Sequence, residues 1–175
     1  MFGQSILSLV IWVPILAGAV VLATGSDRNA GLARWLALAG ALLGLAVAVP
    51  LVIGFDTGTS AMQFAEKAAW IPAFNIHYHL GVDGISMPLI LLNSFITVLV
   101  VIAGWQVIQD TVAQYMAAFL IMSGLINGVF AALDGILFYV FFEGMLIPLY
   151  LIVGVWGGPN RVYAAFKFFL YTLLG

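Results

Sequence analysis

Residues 135–156 read GILFYVFFEGMLIPLYLIVGVW, an unbroken apolar run whose one charged side chain is Glu143. As a helix rising 1.5 Å per residue, a run of that length covers about 33 Å, enough to cross the roughly 30 Å hydrocarbon core of a bilayer. It therefore predicts a transmembrane helix, closed by Gly157-Gly158-Pro159-Asn160, a strong turn signal.

Outward from this segment, runs of the same kind recur between short polar breaks. They predict helices over about 5–24, 32–53, 87–107, 112–133 and 135–156, with a sixth opening near 162 and cut short at 175. The first ends at Gly25-Ser26-Asp27-Arg28-Asn29. The third has Ser86 as its expected N-cap and Pro88 in its first turn, where a missing N–H costs little. About fourteen residues cannot span a bilayer, so the chain is read as the N-terminal part of one longer membrane domain. The expected fold class is all-α, a polytopic bundle of about six transmembrane helices.

Composition agrees. The chain is 65% hydrophobic and 7% charged, with a mean hydropathy of +1.19, whereas soluble domains run near a quarter charged. A net charge of −2 and five scattered Lys/Arg residues leave no basic patch for phosphates, which argues against a nucleic-acid partner. The absence of cysteine excludes disulfides, thiolate nucleophiles and cysteine-held iron–sulfur clusters. The first apolar run has no Lys or Arg before it, so it reads as a retained helix and not as a signal peptide.

Arg28, Arg34 and Arg161 fall on one side of the predicted bundle and Lys67 on the other. By the positive-inside rule the N-terminus lies outside, and the loops after helices 1, 3 and 5 face the cytoplasm. The long connection from about 54 to 85 carries an alternation. Phe74, Ile76, Tyr78, Leu80 and Val82 interleave with Asn75, His77, His79, Gly81 and Asp83, the two-residue period of a half-buried strand. This predicts a hairpin on the outer membrane face. His77 and His79 would share one of its faces, but no third ligand lies near in sequence, so no metal site is expected. Gly40-x-x-x-Gly44 and Gly124-x-x-x-Gly128 put paired glycines on helix faces for close packing.

Ionisable groups within hydrocarbon are costly and mark ion pathways. Glu143 lies about 12 Å into helix 5, near the midplane. Pro148, five residues on, has no N–H to give the Gly144 carbonyl, which is left unpaired beside the carboxylate. Gly144 also leaves space, and Tyr139 and Tyr150 share the face of Glu143, so a carboxylate, a free carbonyl and room for water come together. The alternative is a protonated carboxyl that merely hydrogen-bonds a neighbouring helix. Lys167 stands with Tyr163 and Tyr171 in a four-residue stripe on helix 6, and its proximity to an end also permits snorkelling. Asp110 and Asp134 at helix junctions are explained by solvation or capping. No catalytic triad, zinc cluster or phosphate loop is present. A midplane acid in a membrane bundle fits proton handling.

At Gly81-Val82-Asp83-Gly84-Ile85-Ser86, at Phe141-Phe142-Glu143-Gly144-Met145-Leu146-Ile147-Pro148 and at Lys167-Phe168-Phe169-Leu170-Tyr171-Thr172, the sequence resembles the antiporter-like subunits, of the chain M type, of proton-pumping NADH:quinone oxidoreductase, respiratory complex I. The resemblance covers the whole chain. It implies a fourteen-helix protein in which Glu143 pairs with a helix-7 lysine beyond Gly175, with Lys167 matching a family lysine. It also implies a bacterial inner-membrane location among lipid and other membrane subunits. The hairpin, with Phe74, Ile76, Tyr78, Leu80 and Asp83, would contact neighbouring antiporter-like subunits. No cofactor is expected on this chain, since the NADH, FMN, iron–sulfur and quinone sites would belong to other subunits. Subunits of multisubunit sodium/proton antiporters and of membrane-bound hydrogenases share these features, and a non-catalytic membrane scaffold is the alternative from another class.

Overall fold

The amphipathic pattern of a soluble domain is missing from the long segments, because each is apolar all round and meets either lipid or another helix. In the computed structural model, which describes residues 5–25 and 29–175, these segments form α1 (Ile6–Thr24), α2 (Ala30–Ile53), α3 (Ser86–Val107), α4 (Val112–Ala131) and α5 (Gly135–Trp156). All five are long and apolar enough to cross a membrane. A sixth helix, α6 (Arg161–Leu174), has 14 residues, about 21 Å, and falls short of a crossing. Arg28, with Ser26 and Asp27, lies outside the described residues.

α4 is the central helix: 56% of its membrane window is buried, against 22–39% in the other four spans. It packs against α1, α2, α3 and α5. Apolar surface gains nothing by leaving lipid for another helix, so close van der Waals packing has to hold such a bundle, and small residues permit it. At Gly18 and Gly124 the α1 and α4 backbones approach so closely that an added Cβ would lie 2.9 Å and 2.5 Å from a carbonyl oxygen of the other helix. An added Cβ at Gly40 would lie 2.6 Å from the Ala17 methyl of α1, while Gly44 has looser neighbours.

The core has two apolar layers. One, on the hairpin side, is built from residues such as Leu7, Ile11, Leu80, Ile90 and Phe141. The other, on the far side, is built from Val21, Ala37, Val101, Met116 and Leu120. Between them lies a polar layer of Asn93, Thr97, Ser123 and Asn127.

The hairpin is present, with different bounds from those the alternation gives. β1 (Gln63–Ile71) and β2 (Ile76–Val82) pair antiparallel, Lys67 opposite His79 and Ala69 opposite His77. The second strand opens at Ile76. Phe74 belongs to a 3-10 turn over Pro72–Phe74, and Asn75 reverses the chain in the left-handed region at φ 56°, which asparagine tolerates. β1 escapes pattern reading because Glu66, Lys67, Ala68 and Ala69 do not alternate and the strand is bulged twice. α4 stops two residues before the expected Leu133. Ala132 forms a β-bridge with Leu80, and the Leu133 N–H donates to the His79 carbonyl at 2.8 Å. Ser86 is not the cap of α3. The Asp83 carboxylate accepts from the Ile85 and Ser86 amides at 3.0 and 2.7 Å, and the Asp83 N–H donates to Ser86 Oγ at 2.9 Å, a reciprocal box.

Candidate functional site: the Glu143 face of α5

Helix α5 begins where Asp134 accepts from the Ile136 and Leu137 amides at 3.0 and 3.2 Å. The same carboxylate accepts from the His77 N–H of β2 at 3.1 Å. These bonds, the one from His77 first and then that from Leu137, hold the Asp134 carboxyl below its usual range of about 3.8. The helix then lays Leu137, Phe141 and Pro148 as a buried stripe toward the bundle. Gly144 completes the stripe, with Leu125 of α4 in ordinary contact, 3.7 Å from where a Cβ would stand. Gly128 of α4 sits directly on the Phe141 ring, which a Cβ there would meet at 2.7 Å.

Glu143 lies between these two anchor points, half-buried, in the ninth position of α5. Tyr139, one turn earlier on the same face, is within electrostatic reach of its carboxylate. On the following turns Tyr150 makes edge-on contacts with Phe166 and Phe169 of α6, with ring centroids 5.9 and 5.7 Å apart. The α5 face of Glu143 therefore runs toward α6. Lys167 is exposed on α6, its ammonium 5.7 Å from the centre of the Tyr163 ring. It lines an open groove with Val162, Tyr163, Phe166, Leu170 and Tyr171. The structure thus brings Tyr139, Glu143, Gly144 and Pro148 together, and among the described residues it makes no ion pair between Glu143 and Lys167.

The expected hairpin contact residues divide. Phe74 is 78% exposed, whereas Leu80 is fully buried in the chain's own core. Tyr78 turns inward, its hydroxyl 3.1 Å from Ser8 Oγ and 3.2 Å from the Trp12 Nε1 that donates to it. Asp83 caps α3, and the amide bonds of Ser86 and Ile85 hold its carboxyl below the ordinary carboxylate range. Ile76 is half-buried. His77 and His79 belong to no cluster of three metal-ligating side chains among the described residues.

Two groups of polar residues escaped the sequence reading. Glu66 of β1 accepts from the Leu7 N–H at 2.7 Å and the Ser8 N–H at 3.1 Å, and also holds the Ser8 hydroxyl, so a strand carboxylate caps α1. With Asp83 on α3 and Asp134 on α5, all three odd-numbered helices start at the hairpin face under a carboxylate, which favours the positive end of each helix dipole. On the far face Arg34 donates to the Ile108 carbonyl at 2.9 Å and Arg161 to the Val155 carbonyl at 2.7 Å. The second group is the polar layer, where the Asn93 amide donates to the Ser123 carbonyl at 2.9 Å and to Asn127 Oδ1 at 2.8 Å. The four-residue spacings Asn93/Thr97 and Ser123/Asn127 were the available signal, since polar pairs inside spans must find partners.

Comparison with known proteins bears on this geometry. Residues 47–131 match the family described as NADH-ubiquinone oxidoreductase chain 4, amino terminus. Residues 132–175, which hold the Glu143 face, match the family described as NADH:quinone oxidoreductase/Mrp antiporter, TM. NADH-quinone oxidoreductase subunit M of Rhodobacter capsulatus is 47% identical over 98% of this chain and 34% of its own length. F(420)H(2) dehydrogenase subunit M of Methanosarcina mazei is 39% identical over 94% of this chain and 33% of its own. Respiratory complex I from Thermus thermophilus with bound NADH contains a chain that superposes with a TM-score of 0.79 at 30% identity, covering 96% of this chain and 33% of that one. The chain spans about a third of the length of the curated relatives it matches.

Proposed function

Since this chain belongs to the family of subunit M of NADH-quinone oxidoreductase, we propose that it is part of a proton-translocating, antiporter-like subunit of respiratory complex I, in a bacterial inner membrane. The observation that carries the reading is Glu143, a carboxylate in mid-span. Gly144, without a side chain, stands beside it, and Pro148 below removes a backbone donor. Glu143 is the acid of the path, and it tunes a basic partner elsewhere in the whole protein: pairing favours the charged base, and separation in a low dielectric favours release of its proton. Tyr139 supports the carboxylate, and Lys167 lies further along the same path on α6. Other subunits of the complex carry the NADH, FMN, iron–sulfur and quinone chemistry, and electron transfer there drives the change in pairing here.

Arg34 and Arg161 on the face opposite the hairpin support an outward hairpin face, with the N-terminus outside. Exposed Phe74 at the hairpin tip, with Trp70 and Ile71 beside it, is the part of the hairpin that meets a neighbouring antiporter-like subunit.

The test replaces Glu143 in the full-length subunit within its complex. Glu143→Gln keeps shape and hydrogen-bonding groups and removes the charge. It should assemble normally and lose about tenfold or more of proton uptake and NADH:quinone turnover, given that a neighbouring charge shifts a partner's pKa by about 1–3 units. Glu143→Asp should keep part of both. A Gln variant that assembles and pumps at the parent rate replaces this reading with that of a structural membrane scaffold.

A further inference from the structure

Helix α1 carries Pro14 in its interior. Proline has no N–H, so the Val10 carbonyl, four residues earlier, loses its helical donor at a depth where no bulk water replaces it. The missing donor comes from another helix. Asn127 of α4, 1% exposed, donates its Nδ2 to the Val10 carbonyl at 3.1 Å. Its Oδ1 accepts from Asn93 of α3 at 2.8 Å, and Asn93 also holds the Ser123 carbonyl. The Thr97 hydroxyl stands 2.8 Å from Ser123 Oγ. One polar layer thus ties α1, α3 and α4 at a single level between two apolar layers that, by themselves, leave helices free to slide.

The other faces of this stretch of α4 touch α5. Gly128 seats the Phe141 ring and Leu125 packs on Gly144, two residues before Glu143 and one after it. We propose that Asn127 is a positioning residue for the Glu143 site: it supplies Val10 with the donor that Pro14 lacks, and so fixes the axial setting of α4 from which α5 and its carboxylate are held. This role rests on the reading of Glu143 as a proton-path acid.

The pairing with Pro14 gives a specific test in the full-length subunit within its complex. Asn127→Leu keeps the branched shape and removes both hydrogen-bonding groups. Pro14→Ala restores an N–H to the Val10 carbonyl from within α1. Asn127→Leu should lower the apparent melting temperature by about 2 °C or more. It should also cut turnover between about tenfold and a hundredfold, at unchanged quinone KM, as displacement of a reacting group by about 1 Å does. The double variant should recover most of the thermal loss, because Val10 again has a donor, while turnover stays low, because no bond at Val10 then ties α4 to α1. A double variant no more stable than Asn127→Leu, a double variant that regains the parent turnover, or an Asn127→Leu equal to the parent overturns the proposal. If Asn127→Leu fails to assemble, recovery of assembly with turnover still low in the double variant supports the proposal, and continued failure or parent turnover overturns it. Thermal rescue with turnover impaired only by Glu143→Gln overturns the positioning role alone. Thermal rescue with parent turnover in both Asn127→Leu and Glu143→Gln overturns the reading of Glu143 and the positioning role with it.

Discussion

Three glycines on the helices around Glu143 should respond to the same substitution in a fixed order. A methyl carbon at Gly144 would meet Leu125 at 3.7 Å, ordinary contact. Alanine is better than glycine in a helix by about 1 kcal/mol, so Gly144→Ala should be neutral or slightly stabilising. At Gly128 the new carbon would lie 2.7 Å from the Phe141 ring, about 0.8 Å inside the usual carbon–carbon distance of about 3.5 Å. Either the ring turns or α5 retreats. Overpacking of that size costs about 1–3 kcal/mol, against the same helical gain, so the net loss should reach about 2 kcal/mol. At Gly124 the obstacles are the Ile11 carbonyl oxygen and Ile15 Cγ1, both at 2.5 Å. Backbone cannot rotate aside, so α1 and α4 must separate, and the Asn127 bond to Val10 lengthens with them. Gly124→Ala should therefore be the worst, above about 3 kcal/mol. The assay is the fraction of full-length subunit that stays monodisperse after graded heating, measured by size exclusion in detergent. A Gly124→Ala variant as stable as the parent, or one more stable than Gly144→Ala, would refute the packing argument.

Two further expectations concern the hairpin face. Single cysteines at Asn29 and Thr59 should label from opposite sides of the membrane, Thr59→Cys alone reacting with an impermeant reagent added outside; outside labelling of Asn29→Cys reverses the orientation. Asp83 and Asp134 have carboxyls held below the ordinary value of 3.8 by amide donors. Their contribution to stability is therefore complete above about pH 4 and disappears as pH falls through the lowered folded values. Asp134→Asn, which still caps a helix, should flatten the acid-side decline of melting temperature, and an unchanged decline would exclude Asp134 from it.

The five spans could be read from the sequence because lipid imposes a length and a polarity on each, and α5 matches its expected bounds at both ends. Glu143 stands out as a candidate for the same reason, since one charge in such a run has to be explained. The hairpin was half legible. β2 alternates in sequence, although its burial does not, since Leu80, Gly81 and Val82 are all buried, while β1 carries Glu66 and Lys67 side by side and shows no period. Asn127 was harder. Its partner is a backbone carbonyl 117 residues away; the Ser123/Asn127 spacing signals a polar pair, and the absence of a donor at Pro14 hints at this particular partner. Leu80 and Asp83 were expected at a subunit contact because the resemblance gives that role to the hairpin as a whole, and alternation leaves open which residues the chain itself covers; here its own core covers Leu80 and the start of α3 engages Asp83.

The hairpin lies between α2 and α3 in the chain, yet its attachments reach back to Leu7 and Ser8 and forward to Ala132 and Asp134. A growing chain therefore delivers the two strands well before all their anchors exist. Glu66 can engage α1 at once, whereas His77 and Leu80 wait until α4 has been inserted and Asp134 has emerged on their side. The hairpin, third element in order, is among the last to be locked, and a chain halted after α3 would carry it with its anchors at Ala132 and Asp134 still missing. Protease sensitivity of β2 would then report, residue by residue of elongation, the moment at which α4 and the start of α5 arrive.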